Sequence, residues 1–194
     1  MKITICYLTI CAAVFVLYGC NSNKDSKDAA DSVNRVKDRT LNVMARGTLG
    51  TDLPDANFAT KTAARGLAEV ELGKLVLTDS ASTQLKDFAK IMISDYNKIN
   101  KELAVIARKK NISLPLVPDD EDQKKIDELH HKAGEDFDDT YLEAVADAQK
   151  KALQLMQDES KNSKDPDIKF FAARTIPVIQ SHLDMINKIH PKNR

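Results

Sequence analysis

Between Gln84 and Lys110 apolar residues recur three and four apart without a break: Leu85, Phe88, Ala89, Met92, Tyr96, Ile99, Leu103, Ile106 and Ala107. That spacing lines one face of an α-helix. Lys86, Asp87, Lys90, Lys98, Lys101 and Arg108 take the other side. A helix this long, apolar along one whole face, must be covered by other helices of similar length. The chain supplies three. One is predicted from about Pro54 to Thr78, with Ala59, Ala63, Leu67, Val70 and Leu77 inward. A second is predicted from about Asp136 to Ser160, on Phe137, Tyr141, Ala144, Val145, Ala148, Ala152, Leu155 and Met156. The last opens at Asp165-Pro166, an N-cap acid with proline at the first helical position, and ends at His190-Pro191. Pro177 lies inside it and should kink it.

The connections set the topology. Asp79–Ser82 is so short that the helices it joins must form an antiparallel hairpin. Arg108-Lys109-Lys110-Asn111 ends the second helix with cations against its carboxyl-end dipole and an Asn able to take a left-handed stop. Ser113–Asp120 holds Pro115 and Pro118, and the weakly amphipathic Glu121–Ala133 ends at Gly134. Together they make a connector able to travel the length of a bundle. Gly66 and Gly73 lie seven apart on the first long helix. Glycine weakens a helix, so this pair is expected to allow close approach of a neighbour. The expected fold is all-α: a ferritin-like antiparallel four-helix bundle with a long crossover between helices 2 and 3. Aromatics at 5% and the lack of Trp argue against a sandwich or barrel.

The amino end reads differently. Met1-Lys2 is followed by an apolar run to Tyr18, and Leu17-Tyr18-Gly19-Cys20 resembles the bacterial lipobox. The expected organisation is a signal peptide at 1–19 and a lipidated tether at 20–51, beginning at Cys20. A short weak helix on Val33, Val36, Leu41 and Met44 lies within the tether, and the helical domain spans 52–194. Such a chain is exported and held in the cell envelope, at the periplasm or cell surface, with the outer membrane the expected site. Cys6 and Cys11 lie in the apolar run, so beyond Cys20 no thiol remains for catalysis, disulfides or metal–sulfur sites. The formal net charge is zero with both signs interspersed, which disfavours nucleic acid as a partner. The membrane, reached through the lipid, is the expected partner. The sequence names no protein or small-ligand partner.

Four polar residues fall near the midpoints of the long helices: Glu69, Asp95, Asp147 and His182. Counting back from each hairpin turn puts them at one level. Glu71 competes with Glu69 for the first position. One reading is a carboxylate–imidazole cluster for a divalent metal, with Glu69, Asp95, Asp147 and His182 as ligands. The other is a polar layer that sets helix register, with no cofactor. A diiron centre needs a Glu-x-x-His on each of two helices. This chain has one such spacing, Glu128–His131, in the connector. No His-Glu-x-x-His, Gly-x-Ser-x-Gly or phosphate-cradling glycine loop is present, so no residue is assigned a catalytic role.

An ordered set of motifs carries a family resemblance. It comprises Phe58, Gly66-Leu67-Ala68-Glu69-Val70-Glu71-Leu72-Gly73, Phe88-Ala89 with Met92 and Asp95, Leu114-Pro115, and Gly134. Phe137-Asp138-x-x-Tyr141, and Pro177 with His182-Leu183, complete it. Over about residues 54–189 the chain resembles the bacterial domain-of-unknown-function 4142 family of exported, ferritin-like proteins. The resemblance implies a four-helix domain outside the cytoplasm with no established activity. Family members typically carry Asp-His in the middle of helices 2 and 3. Here those pairs are Asp95-Tyr96 and Asp147-Ala148, and the helix 4 His remains as His182. The leading expectation is a non-enzymatic binding or structural protein. The rival is a metal-binding or redox protein with a degenerate site.

Overall fold

The computed structural model describes residues 25–44 and 52–190; Cys20, the signal segment and residues 45–51 lie outside the described residues. Every regular element among the described residues is helical. In chain order these are α1 (Ser26–Met44), α2 (Leu53–Asp79), α3 (Thr83–Lys109), α4 (Asp120–His130), α5 (Gly134–Asn162) and α6 (Pro166–Ile189).

The helix ends follow local chemistry. Ser82 caps α3 by accepting from the Leu85 N–H, and Asp165 caps α6 by accepting from the N–H groups of Asp167 and Ile168. Asn111, just past α3, takes the left-handed conformation with φ 55°, which Asn tolerates better than most side chains. Helix α6 runs on through Pro177.

Helices α2 and α3 pack together, as do α5 and α6, and the two pairs meet through α2–α5 and α3–α6. The end contacts fix directions. Lys110, at the end of α3, pairs with Asp165 at the start of α6. Ser163, at the end of α5, donates to Asp55 at the start of α2 (3.3 Å). Neighbouring helices are therefore antiparallel, and residues 110–133 must run the length of the bundle to begin α5 at the far end. Helix α4 lies on this crossover, packed on α2 and α5 with Ile126 and Leu129 buried. The core is continuous, from Phe58 against Phe171 (ring centroids 6.2 Å apart) through Met92 and Leu103 to Phe137 and Tyr141.

The glycine pair does what its spacing implies. A Cβ on Gly73 would lie 2.7 Å from Ile93 Cγ1, and one on Gly66 would overlap the Asn100 side chain. Both contacts are with α3 side chains, so α2 and α3 approach closely along two turns, and a larger residue at either position must displace Asn100 or Ile93.

Helix α1 departs from the tether expected at 20–51. It begins at Ser26, inside the polar stretch, and docks on α2. Its anchors are polar. Thr60 Oγ1 donates to Asp31 (2.6 Å), the Asn34 amide donates to the Ser113 carbonyl (3.0 Å), and the Ser113 N–H donates back to Asn34 (2.7 Å). Asp31 and Asn34 are buried, whereas Val33, one of the apolar residues that suggested a weak helix here, is exposed. Val36 is exposed too, and the buried side of α1 is formed by Ala30, Asp31 and Asn34, so the contact rests largely on hydrogen bonds.

Candidate functional site

Each of the four long helices sends a polar side chain to the bundle centre. Helix α2 supplies Glu69, α3 supplies Tyr96 with Asp95 beside it, α5 supplies Gln149, and α6 supplies His182. Glu69, Gln149 and His182 are buried at 1%, 0% and 0% exposure. Gln149 is the hub. Its amide nitrogen lies 3.1 Å from Glu69 Oε1 and 2.8 Å from the Tyr96 hydroxyl, and its amide oxygen lies 3.2 Å from His182 Nδ1. The other ring nitrogen, Nε2, lies 3.2 Å from Asp95 Oδ2. Asp95 is a quarter exposed and also accepts from Lys98, so the chain of contacts runs from a sealed carboxyl to the surface.

Burial pushes the Glu69 carboxyl up to about 8, against the pull of Arg65, so it holds its proton at neutral pH. Burial also pushes His182 down, against the pull of Asp95, and the ring is neutral. These two states select the direction of the hydrogen bonds. With the amide nitrogen toward Glu69, the His182 proton must sit on Nδ1, and the bare Nε2 would face the Asp95 carboxylate. A half-turn of the amide removes the conflict. Glu69 and Tyr96 then donate to the Gln149 oxygen, Gln149 donates to Nδ1, and Nε2–H donates to Asp95. Glu69 Oε2 and the Tyr141 hydroxyl have no partner. Leaving an oxygen unpartnered costs less on a neutral carboxyl than on a carboxylate. Chemically, the layer is built to hold one proton away from water.

Three of the four predicted residues thus meet in the layer, and the fourth does not. Asp147 projects outward at 61% side-chain exposure and pairs with Lys151 at 2.8 Å, an interaction that holds its carboxyl below the usual range. Gln149 takes the interior position. Two residues turn a helix by about 200°, so Asp147 and Gln149 face opposite ways. The signal for Gln149 was present: it lies four residues after Val145 and three before Ala152, on the apolar stripe itself. Ala148 is only half-buried, Glu71 is exposed beside Lys74 (2.7 Å), and Glu128 and His131 are both exposed.

The chain belongs to the domain of unknown function 4142 family, whose sequence profile (Domain of unknown function, DUF4142) matches residues 41–189. Most of α1 precedes the match. No curated protein matches the chain. A solved structure described as CopM in the Cu(II)-bound form shares the fold, with a TM-score of 0.61 and 13% identity over 71% of this chain and 95% of that one.

Copper(II) favours a tetragonal set of nitrogen and oxygen donors. Among the described residues no group of three His, Cys, Asp or Glu side chains is placed to hold a metal ion. In the central layer both nitrogens of the one imidazole are engaged, and Gln149 separates His182 from Glu69. The layer as arranged does not fit a copper ion.

Proposed function

We propose that this chain is an exported, lipid-anchored protein of the cell envelope that acts by binding or as a structural element rather than by catalysis. One observation carries the reading: Gln149, Tyr96, His182 and one oxygen of Glu69 use their hydrogen bonds on one another at the bundle centre. Gln149 links α2, α3 and α6 through its single amide. Such a network fixes the rotation and register of the helices that share it. The anchor is Cys20 within Leu17-Tyr18-Gly19-Cys20, and no helix among the described residues is long and apolar enough to cross a membrane.

The Cu(II)-bound state of the similar fold supports a second reading, metal binding at His182 and Asp95 after the Gln149 contact opens. Calorimetric titration of the purified protein with copper and zinc separates the two. The structural reading expects no tight stoichiometric uptake by wild type. Tight uptake that His182→Ala abolishes would establish the metal reading. For the anchor, Cys20→Ser should move the protein out of the lipid-labelled membrane fraction, and unchanged lipid labelling would refute it.

A further inference from the structure

Seven large apolar side chains are exposed among the described residues, and four of them belong to two neighbouring segments: Val33 and Val36 on α1, and Leu116 and Val117 in the loop after α3. Helix α1 wears its polarity largely reversed. Asp31 and Asn34 turn inward to Thr60 and Ser113, while Ala29, Val33 and Val36 turn outward. Their spacing of four and three sets the outward residues in one stripe along the helix. A surface helix ordinarily gives its apolar stripe to the protein and its polar side to water. Here the hydrogen bonds serve the protein, and the stripe is left for something other than water.

The loop lies alongside α1. Ser113 is bonded to Asn34, and the Asp120 N–H donates to Asp25 (3.3 Å), so residues 113–120 run antiparallel to residues 25–34. Leu116 and Val117 fall midway, beside the first half of α1. Leu116 is 88% exposed, more than any other large apolar side chain among the described residues. Pro115 is buried and Pro118 half-buried, so a stiff ring at each end holds the pair outward. Neither segment carries surplus positive charge: over residues 25–39 four acids meet four cations, and Asp119, Asp120 and Glu121 follow the loop. What this surface offers an occupant is apolar area, not charge.

We propose that α1 and the Leu116-Val117 loop form a shallow membrane-docking face, with Val33, Val36, Leu116 and Val117 seated in the outer edge of a lipid bilayer. The inference rests on the anchor reading for Cys20. Five residues separate Cys20 from Asp25, a span of at most about 17 Å, and Asp25 accepts from Asp120 at the end of this same loop. A lipid on Cys20 thus holds this face, nearest to it along the chain, at the bilayer. Helices with an apolar stripe of this kind lie in the plane of the interface. Four side chains offer little area, but a tethered surface binds at the effective concentration its tether sets. The balance of charge makes the expected lipid zwitterionic.

The chain contains no Trp, so a single introduced indole reports on its own surroundings. With the full-length lipidated protein in phosphatidylcholine vesicles whose acyl chains are brominated, flotation reads the anchor and indole quenching reads the docking. Leu116→Trp and Val33→Trp should each lose about half or more of the emission seen in unbrominated vesicles, since an interfacial stripe sits roughly 5–10 Å into the headgroup–acyl boundary. Phe170→Trp, exposed on α6 across the bundle from α2, should keep its emission. Leu116→Asp should relieve the quenching of Val33→Trp, because a charge on the loop lifts the face from the lipid. Circular dichroism checks that each variant remains helical. Adding phosphatidylglycerol should not deepen the quenching. Failure to float would remove the anchor reading and this inference with it. Flotation with Leu116→Trp or Val33→Trp no more quenched than Phe170→Trp would keep the anchor and overturn the docking face. Quenching that appears only with phosphatidylglycerol would overturn it too, since that is attraction by charge.

Discussion

Helix α1 and the bundle centre are both joined to their surroundings by polar side chains, yet the two junctions differ in kind. At the centre, Glu69, Gln149, Tyr96 and His182 come from four helices and are sealed from water. None of the other three can let go without costing Gln149 a partner. At the α1 junction, Asp31 and Asn34 reach Thr60 and Ser113 from one helix that lies on the outside. Water can replace those bonds as α1 lifts. Equal hydrogen-bond chemistry therefore gives global cohesion in one place and a separable element in the other.

The largest test of this contrast lies in the apolar layer next to the centre. Met92 is fully buried, and Met92→Asp should cost about 3–5 kcal/mol of global stability, read from chemical denaturation. Wild-type melting of that variant would contradict the assigned packing.

The polar centre gives a pH signature of nearly the same size. Below pH 4.5 Glu69 is protonated in both folded and unfolded chains. Between 4.5 and about 8 the unfolded chain sheds the proton and the folded one keeps it, so stability falls as pH rises through that window and levels off above it. Glu69→Gln should flatten this slope and raise stability above pH 8 by on the order of 4 kcal/mol. His182 acts on the acid side: its pKa is lowered by burial, so stability is lost as pH falls below 6.5. Denaturation curves from pH 4 to 9 read both effects, and an unchanged slope in Glu69→Gln would refute the sealed carboxyl.

A smaller effect is expected where α2 meets α3. Gly73→Val must displace Ile93 and should cost about 2 kcal/mol, again in the global melt. The smallest belongs to α1. Asn34→Ala removes both bonds to Ser113 and should cost about 1 kcal/mol, confined to α1 and the neighbouring loop. Hydrogen exchange should accelerate there while the core amides of α3 keep their protection. Loss of protection throughout would mean that α1 and the bundle unfold as one unit.

Much of this was legible in the sequence because level along a helix is a matter of counting. The four long helices, their caps, the left-handed Asn111 and the close approach at Gly66 and Gly73 all follow from spacing. Facing is harder. Asp147 and Gln149 differ by about 3 Å in height but point opposite ways, and counting back from a turn cannot separate them. Charge drew attention to the aspartate, although the apolar stripe passes through the glutamine. The α1 junction was hidden for another reason. A buried Asn34 and a solvated Asn look alike in sequence, and only the position of Ser113, distant along the chain, distinguishes them.

The early start of α1 changes how far the protein can roam. With the domain beginning at Asp52, a chain held at Cys20 would have a stalk of up to about 110 Å at the ~3.4 Å per residue of extended backbone. With α1 docked, Cys20 lies five residues before Asp25, and the distance that stretch can span is at most about 17 Å. A lipid at Cys20 would then act as a short leash. It would keep the α1 side of the bundle against its own membrane and leave a partner on any opposing surface out of range. Release of α1 would lengthen the leash several-fold, turning a weak helix–helix contact into control over distance.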